Sequence, residues 1–286
     1  VDMISTPYAW YVTTDMNGQK NLYINGHLAY TDQNIWEQEE IAHIPLLQAQ
    51  SHRDLLLLGG CYPGIVNEIK KYEDVERITC VERDNRFILF LEKNFGGIDA
   101  EVINKDPLSY LASTHRRFDA IIINAGDAST INDNIFYTGE FMEMAKQHLK
   151  EGGVISTSIR SPANYYAGSY MEYLSTVYWT MRESFPWVLI LPSTRLYLVA
   201  STGEISYNYE ELLARWNITA QFFNRDHLRG IIIENRIRSI YSAIQNEEIN
   251  TIRTPVAYSR SLSHQLSVYK IRLTHLLVIS LFALFT

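Results

Sequence analysis

The chain has 286 residues, 47% of them apolar and 20% charged, with a formal net charge of −7. That composition excludes extended disorder and leaves room for one large folded domain with additions. No basic stripe is placed to neutralise phosphates, which argues against a nucleic-acid partner. Cys61 and Cys80 are the only cysteines; two are too few for a disulfide framework or a zinc site, and they read as buried free thiols in a reducing compartment.

Residues 1–45 read as a small β unit. Tyr11-Val-Thr-Thr is aromatic and β-branched, Asn21-Leu-Tyr-Ile alternates, and Asn17-Gly18 and Asn25-Gly26 are hairpin turns, so a meander is expected. Residues 46–205 then alternate strand and helix. The expected order is a strand at Leu55–Leu58, a helix to Lys71, a strand at Ile78–Glu82, a helix at Asn85–Asn94, a strand at Glu101–Asn104, a short helix after Pro107 and a strand at Phe118–Asn124. A helix from Thr138 to Leu149, stopped by Gly152-Gly153, precedes a strand at Val154–Ser158, and another helix ends near Ser184. This alternation predicts a doubly wound parallel sheet. Trp187–Pro192 and Arg195–Ala200 are joined by only Ser193-Thr194, and a connection that short forces an antiparallel pair. A parallel sheet closed by such a hairpin is the adenosylmethionine-dependent-transferase type of α/β fold rather than that of dinucleotide dehydrogenases.

Residues 206–268 read as a helical extension, with helices at Tyr209–Trp216 and Arg225–Asn246. Both ends look cut: the first residue is Val1, and the apolar run Leu276–Phe285 is about half of what a membrane span needs. Residues 269–286 are therefore expected to start a truncated transmembrane helix, the alternative being a buried C-terminal helix. Lys270, Arg272 and His275 flank the run on its N-terminal side, so the positive-inside rule predicts a membrane-anchored protein with its folded domain in the cytoplasm.

The most informative stretch is Arg53-Asp-Leu-Leu-Leu-Leu-Gly-Gly-Cys-Tyr-Pro-Gly64, followed by a helix and Arg77-Ile-Thr-Cys-Val-Glu82. A buried strand, a glycine turn, a crossover helix and a second strand ending in an acid form a nucleoside-binding βαβ unit. Gly59 and Gly60 allow close backbone approach, and Glu82 is placed to accept hydrogen bonds from ribose hydroxyls. The spacing departs from the full G-x-G-x-x-G pattern, so a purely structural strand-to-helix turn is the competing reading.

Taken together, these residues resemble the spermidine synthase (polyamine aminopropyltransferase) family, most closely its membrane-fused bacterial branch, from about Tyr8 to Tyr258. The resemblance is carried by Asn21-Leu-Tyr-Ile-Asn-Gly26, Leu-Leu-Gly-Gly60, Val81-Glu82, Lys105-Asp106, Phe118-Asp-Ala-Ile-Ile-Ile-Asn124, Phe136-Tyr-Thr-Gly-Glu-Phe141 and Leu149-Lys-Glu-Gly-Gly153. It implies a donor of the decarboxylated adenosylmethionine or adenosylmethionine type, no metal, an amine acceptor, a homodimer, and attachment to a bacterial inner membrane. Glu82 matches the family's ribose ligand and Asp106 its adenine contact. The expected nucleoside site comprises Gly59, Gly60, Cys61, Tyr62, Gly64, Glu82, Arg83, Lys105, Asp106 and Asn124.

The departures lie on the amine side. Asn124 stands where the family carries its catalytic aspartate, and an amide cannot take a proton, which leaves Asp127, matching a second family carboxylate, as the remaining base. Ala29, Gln38, Glu39 and Tyr62 replace polyamine or aminopropyl contacts. Glu37, Glu39 and Glu40 form either an acidic funnel or a solvated helix face. Three functions follow: an aminopropyltransferase, a catalytically degenerate adenosyl-ligand-binding or regulatory domain, and a methyltransferase on another acceptor.

Other chemistry finds less support. The eight histidines, among them His27, His43, His52, His115, His148, His227 and His264, show no close metal-ligand spacing. Ser156, Ser158 and Ser161 lack a nucleophile elbow. Tyr165, Tyr166, Tyr170 and Tyr173 follow the fifth strand of the main sheet, where a ligand-facing loop is expected; Tyr166, Tyr170 and Tyr173 share helical spacing and read as core packing rather than a cation cage.

Overall fold

A computed structural model describes residues 1–161 and 168–268. At the amino end, Asn17 and Asn25 take positive φ angles of 55° and 50°, each followed by a positive-φ glycine, so both Asn-Gly pairs make the tight turns their sequence predicts. Four antiparallel strands result, hydrogen-bonded in chain order: β1 (Asp2–Ser5), β2 (Trp10–Met16), β3 (Gln19–Ile24) and β4 (His27–Thr31). Helix α1 (Ile35–Leu46) follows, capped by Asn34.

The main sheet has seven strands. In chain order its elements are β5 (Asp54–Leu58), α2 (Pro63–Ile69), β6 (Arg77–Glu82), α3 (Asn85–Phe95), β7 (Glu101–Asn104), α4 (Pro107–Ser113) and β8 (Phe118–Ile123). Then come α5 (Ile131–Asn134), α6 (Gly139–Gln147), β9 (Leu149–Arg160), α7 (Ser169–Ser184), β10 (Trp187–Pro192) and β11 (Arg195–Ser201). The spatial order is β10-β11-β9-β8-β5-β6-β7. Strands β5 to β9 pair in parallel, while β11 lies antiparallel between β9 and β10, which bears out the doubly wound sheet with a terminal hairpin. Helices cover both faces, so β5 and β8 carry the apolar runs Leu55–Leu58 and Ala120–Ile123, buried on both sides. The chain runs outward from β5 through β6 to β7 and then returns to β8 on the other flank of β5. The carboxyl ends of β5, β6 and β8 therefore open on one crevice, where such sheets bind ligands.

The β meander is fastened over the end of this sheet. Tyr11 stacks on Phe87 of α3 with ring centroids 4.4 Å apart, and its hydroxyl donates to Asp84, the N-cap of α3. The Lys20 ammonium donates to the carbonyl of Asn94 at 2.8 Å. Cys61 and Cys80 are buried free thiols, as expected, and burial beside Cys80 pushes the Cys61 thiol well above its ordinary value.

Three expectations need correction. The Gly152-Gly153 pair does not stop a helix: α6 ends at Gln147, and both glycines lie inside β9, which starts at Leu149 rather than Val154. A Cβ on Gly153 would sit 3.0 Å from the Phe118 carbonyl, so Gly153 serves the close approach of β9 to β8 at a register shift, while Gly152 lies against the Gln50 side chain. Residues 225–246 form two helices, α9 (Arg225–Ile231) and α10 (Glu234–Ala243), after α8 (Tyr209–Arg215). One continuous helix burying Leu228 and Ile231 would turn Asn235 and Arg238 inward; the break at Ile232 rephases the chain so that Ile237 and Ile240 are buried instead. A final helix, α11 (Val256–Val268), packs along α7.

The third correction concerns the membrane. Among the described residues no helix is long and apolar enough to cross one, so the expected membrane-anchored localisation does not stand. The run Leu276–Phe285 that prompted it, with Lys270, Arg272 and His275, lies outside the described residues, as do Tyr165 and Tyr166. Tyr170 and Tyr173 are core residues of α7, as their helical spacing suggested, and the Tyr173 hydroxyl accepts the Ala128 N–H at 3.0 Å.

Candidate functional site

A cavity of about 660 Å³ lies where the crevice of the main sheet meets the β meander, a size that suits a nucleoside-sized ligand. Its floor is the glycine turn after β5. Gly59 and Gly60 have φ angles of 69° and 47°, and a Cβ on Gly60 would meet the Asn124 side-chain nitrogen at 2.5 Å. The turn can therefore lie flat against the end of β8 only because Gly60 has no side chain. Asn124 holds it there. Its backbone N–H donates to the Leu58 carbonyl and its side-chain Nδ2 donates to the Gly60 carbonyl, both at 2.9 Å.

Glu82 ends β6 on the opposite side of this floor. Its Oε1 accepts the Asp84 N–H at 3.0 Å, and burial pushes its carboxyl above the ordinary value against the pull of that N–H and of Arg83. Arg83 is steered by Asp133 at 4.0 Å and lies over the Tyr8 ring at 5.2 Å from its centroid. All these side chains line the cavity.

The opposite end is built from α1, the loop after β8 and the start of β11. Tyr62 stacks on Tyr30 with centroids 4.4 Å apart, forming an aromatic wall over the glycine turn. Burial pushes the Tyr30 phenol up to about 12 and, with Glu82 and Glu37 facing it, the Tyr62 phenol higher still. Ala29 and Gln38 line this wall, the Gln38 amide donating to the Thr31 carbonyl at 2.9 Å. Asp127 accepts the Arg160 N–H at 2.9 Å and lies 3.7 Å from the Arg160 guanidinium. Arg195 donates from Nε to Ser158 Oγ at 2.7 Å, with Nη1 3.6 Å from Glu37.

Neither reading of the α1 carboxylates holds for the whole set. Glu37 lines the cavity, but Glu39 and Glu40 are fully buried and point elsewhere. Glu39 accepts the backbone N–H groups of Gln221, Phe222 and Phe223, stapling the helical extension to α1. Glu40 accepts hydrogen bonds from Trp36, Ser193, Thr194 and Tyr197, with His227 Nε2 2.8 Å away.

Of the nucleoside residues expected from sequence, the fold brings Gly59, Gly60, Tyr62, Glu82, Arg83 and Asn124 together on the cavity wall, with Asp127 beside them. Four others are placed outside that lining. Cys61 is buried beneath the turn, and Gly64 packs so tightly on α1 that a Cβ would come within 1.9 Å of the Gln38 side chain. The Lys105 ammonium donates to Ser113 Oγ at 2.7 Å, and Asp106 caps α4 by accepting the Ser109 N–H at 3.0 Å. Sequence reading missed Tyr8, Tyr30, Asp133, Arg160 and Arg195. The last opens a strand straight after a two-residue turn, where a charged residue is commonplace, so only the pairing of β11 with β9 reveals where it points.

Comparison with known proteins agrees with this fold. Residues 34–193 match the spermine/spermidine synthase domain. A polyamine aminopropyltransferase of Oceanobacillus iheyensis is 26% identical over 197 residues, covering 64% of this chain and 36% of that protein. Polyamine aminopropyltransferase 2 of Aquifex aeolicus is 25% identical over 263 residues, covering 88% of this chain and 52% of its own length. The chain thus spans between a third and about half of these two relatives. A spermidine synthase solved with the transition-state analogue AdoDATO superposes with a TM-score of 0.71 at 20% identity, over 85% of this chain and 88% of that one. The Thermotoga maritima spermidine synthase gives 0.68 at 20% identity, over 85% and 87%. With the matching domain extending across more than half of its length, the chain belongs to the spermine/spermidine synthase family.

Proposed function

We propose that the cavity binds an adenosyl sulfonium donor of the decarboxylated adenosylmethionine type and directs transfer of its aminopropyl group to an amine. The observation that carries this reading is the placement of Glu82 across from the Gly59-Gly60 turn, at the carboxyl ends of β6 and β5, in a cavity of about 660 Å³. A half-buried carboxylate there meets the two donors of a ribose diol, and a turn without side chains admits the nucleoside edge.

The reaction asks for position and one proton acceptor. The acceptor's nitrogen lone pair forms a bond to the methylene carbon on the sulfonium. The carbon–sulfur bond breaks with its electron pair going to sulfur, and neutral methylthioadenosine leaves. The nitrogen gives up one proton. Asp127 is the cavity carboxylate assigned to take it, because Asn124 cannot; Asn124 instead fixes the glycine turn through its bond to the Gly60 carbonyl.

A second reading is a donor-binding domain without transfer, favoured by Asn124 and by the hold of Arg160 on Asp127. Calorimetric titration with methylthioadenosine, adenosylmethionine and decarboxylated adenosylmethionine, followed by product analysis with amines, tests both. Binding with aminopropylated product supports the transferase. Binding without product in any amine supports the second reading, methyl transfer from adenosylmethionine would replace the first by a methyltransferase, and no binding of any of the three removes the adenosyl site.

A further inference from the structure

The amine-facing end of the cavity is charge-balanced rather than acidic. Of its two carboxylates among the described residues, Glu37 faces Arg195 at 3.6 Å and Asp127 faces Arg160 at 3.7 Å. Arg195 is the built feature. Nε donates to Ser158 Oγ at 2.7 Å and Nη2 to the Ser158 carbonyl at 3.2 Å, so two of its five N–H donors hold the guanidinium plane in place. The Glu37 contact is too long for a hydrogen bond. The fork therefore lines the cavity immobilised, with donors to spare.

A fixed guanidinium fork matches a carboxylate in shape and charge, whereas a compact ammonium brought against it is repelled. Tyr62 and Tyr30 close the same end with aromatic surface and add no third carboxylate for a second ammonium. We infer that the acceptor is an ω-amino carboxylate, its amine turned to the donor and Asp127 and its carboxylate seated on Arg195. This rests on the aminopropyl-transfer reading and names its substrate class. The products are then an N-(3-aminopropyl) amino acid, methylthioadenosine and one proton, which balances the step described above.

Three probes with the same four-carbon chain separate the charges: 4-aminobutanoate, putrescine and butylamine, titrated into the full chain saturated with methylthioadenosine. Methylthioadenosine binding is measured first on the same sample; its failure overturns the donor reading and the inference with it. With the nucleoside bound, 4-aminobutanoate is expected to bind about tenfold more tightly than putrescine, the discrimination that one charge-matched contact supplies. Arg195→Gln should reverse that order while moving butylamine by less than about threefold. Arg195→Lys, which keeps the charge and loses the fork, should retain a weaker preference for the carboxylate. The comparison in the parent needs no variant to fold. Putrescine binding as tightly as 4-aminobutanoate there, an equal effect of Arg195→Gln on all three probes, or no binding of any probe to the nucleoside-loaded protein overturns the inference and leaves the donor site standing.

Discussion

Replacing Glu82 by Gln should move ligand affinity and protein stability in opposite directions. The carboxylate at the end of β6 spends Oε1 on the Asp84 N–H and faces the cavity with the rest of its capacity. A ribose diol bonded to it makes charge-assisted hydrogen bonds, each contributing about 1.5–3 kcal/mol, and an amide keeps the shape but loses the charge. Methylthioadenosine should therefore bind about 10- to 150-fold more weakly to Glu82→Gln. Stability responds differently because burial raises the Glu82 pKa in the folded protein. A raised carboxyl pKa means that the folded state holds its proton more strongly than the unfolded chain, so stability is lost as pH rises through the folded value. The parent carries that penalty at neutral pH, and the amide removes it. Because the carboxylate opens on a cavity that water can enter, the gain is small, and it should vanish below the ordinary value of 4.5, where both forms are neutral. Calorimetric titration and thermal melts between pH 4 and 8 read both effects. Unchanged affinity would remove Glu82 from the site, and a parallel loss of affinity and stability would make it a structural residue.

Other perturbations test the parts that surround the site. Glu39→Ala strips the acceptor from three backbone N–H groups of the helical extension, and chemical denaturation should show a loss of about 3–5 kcal/mol; a loss under about 1 kcal/mol would mean that the staple carries no weight. For Glu40, burial pushes the carboxyl up, but the His227 ring 2.8 Å away and hydrogen bonds from Ser193, Thr194 and Trp36 outweigh it and hold the pKa below 4.5. Its contribution is present above that value and lost as pH falls through the lower folded value, so Glu40→Gln should flatten the acid limb of a stability–pH curve; an unchanged limb would count against the bonding. Asn124→Asp sets a carboxylate oxygen against the Gly60 carbonyl in place of the Nδ2 donor. Melting should show a cost of about 1–2 kcal/mol, whereas methylthioadenosine release with an amine acceptor should rise, because a proton acceptor returns to the end of β8. A melt identical to the parent's would show that the bond to Gly60 does not hold the turn.

Local chemistry carried much of the architecture into the sequence. The Asn-Gly pairs require left-handed backbone and so specified the meander, and the apolar runs of β5 and β8 could belong only to strands buried on both faces. The two-residue turn Ser193-Thr194 left no choice but an antiparallel closing hairpin. Three residues of the cavity lining were legible for the same reason: Gly59, Gly60 and Glu82 sit at fixed offsets within one βαβ unit, so chain order alone placed them together. What the tertiary structure decided involves partners distant in sequence. Glu37, Glu39 and Glu40 look alike in one dimension, yet one lines the cavity while two are buried under segments about 150 to 180 residues away. The break between α9 and α10 follows from which isoleucines the core accepts, and a uniform helical pattern carries no mark of it. Arg195 belongs to the same class: its guanidinium reaches the cavity only because β11 inserts antiparallel beside β9 and Ser158 fixes the fork, a conjunction of long-range pairing and packing that no local pattern encodes.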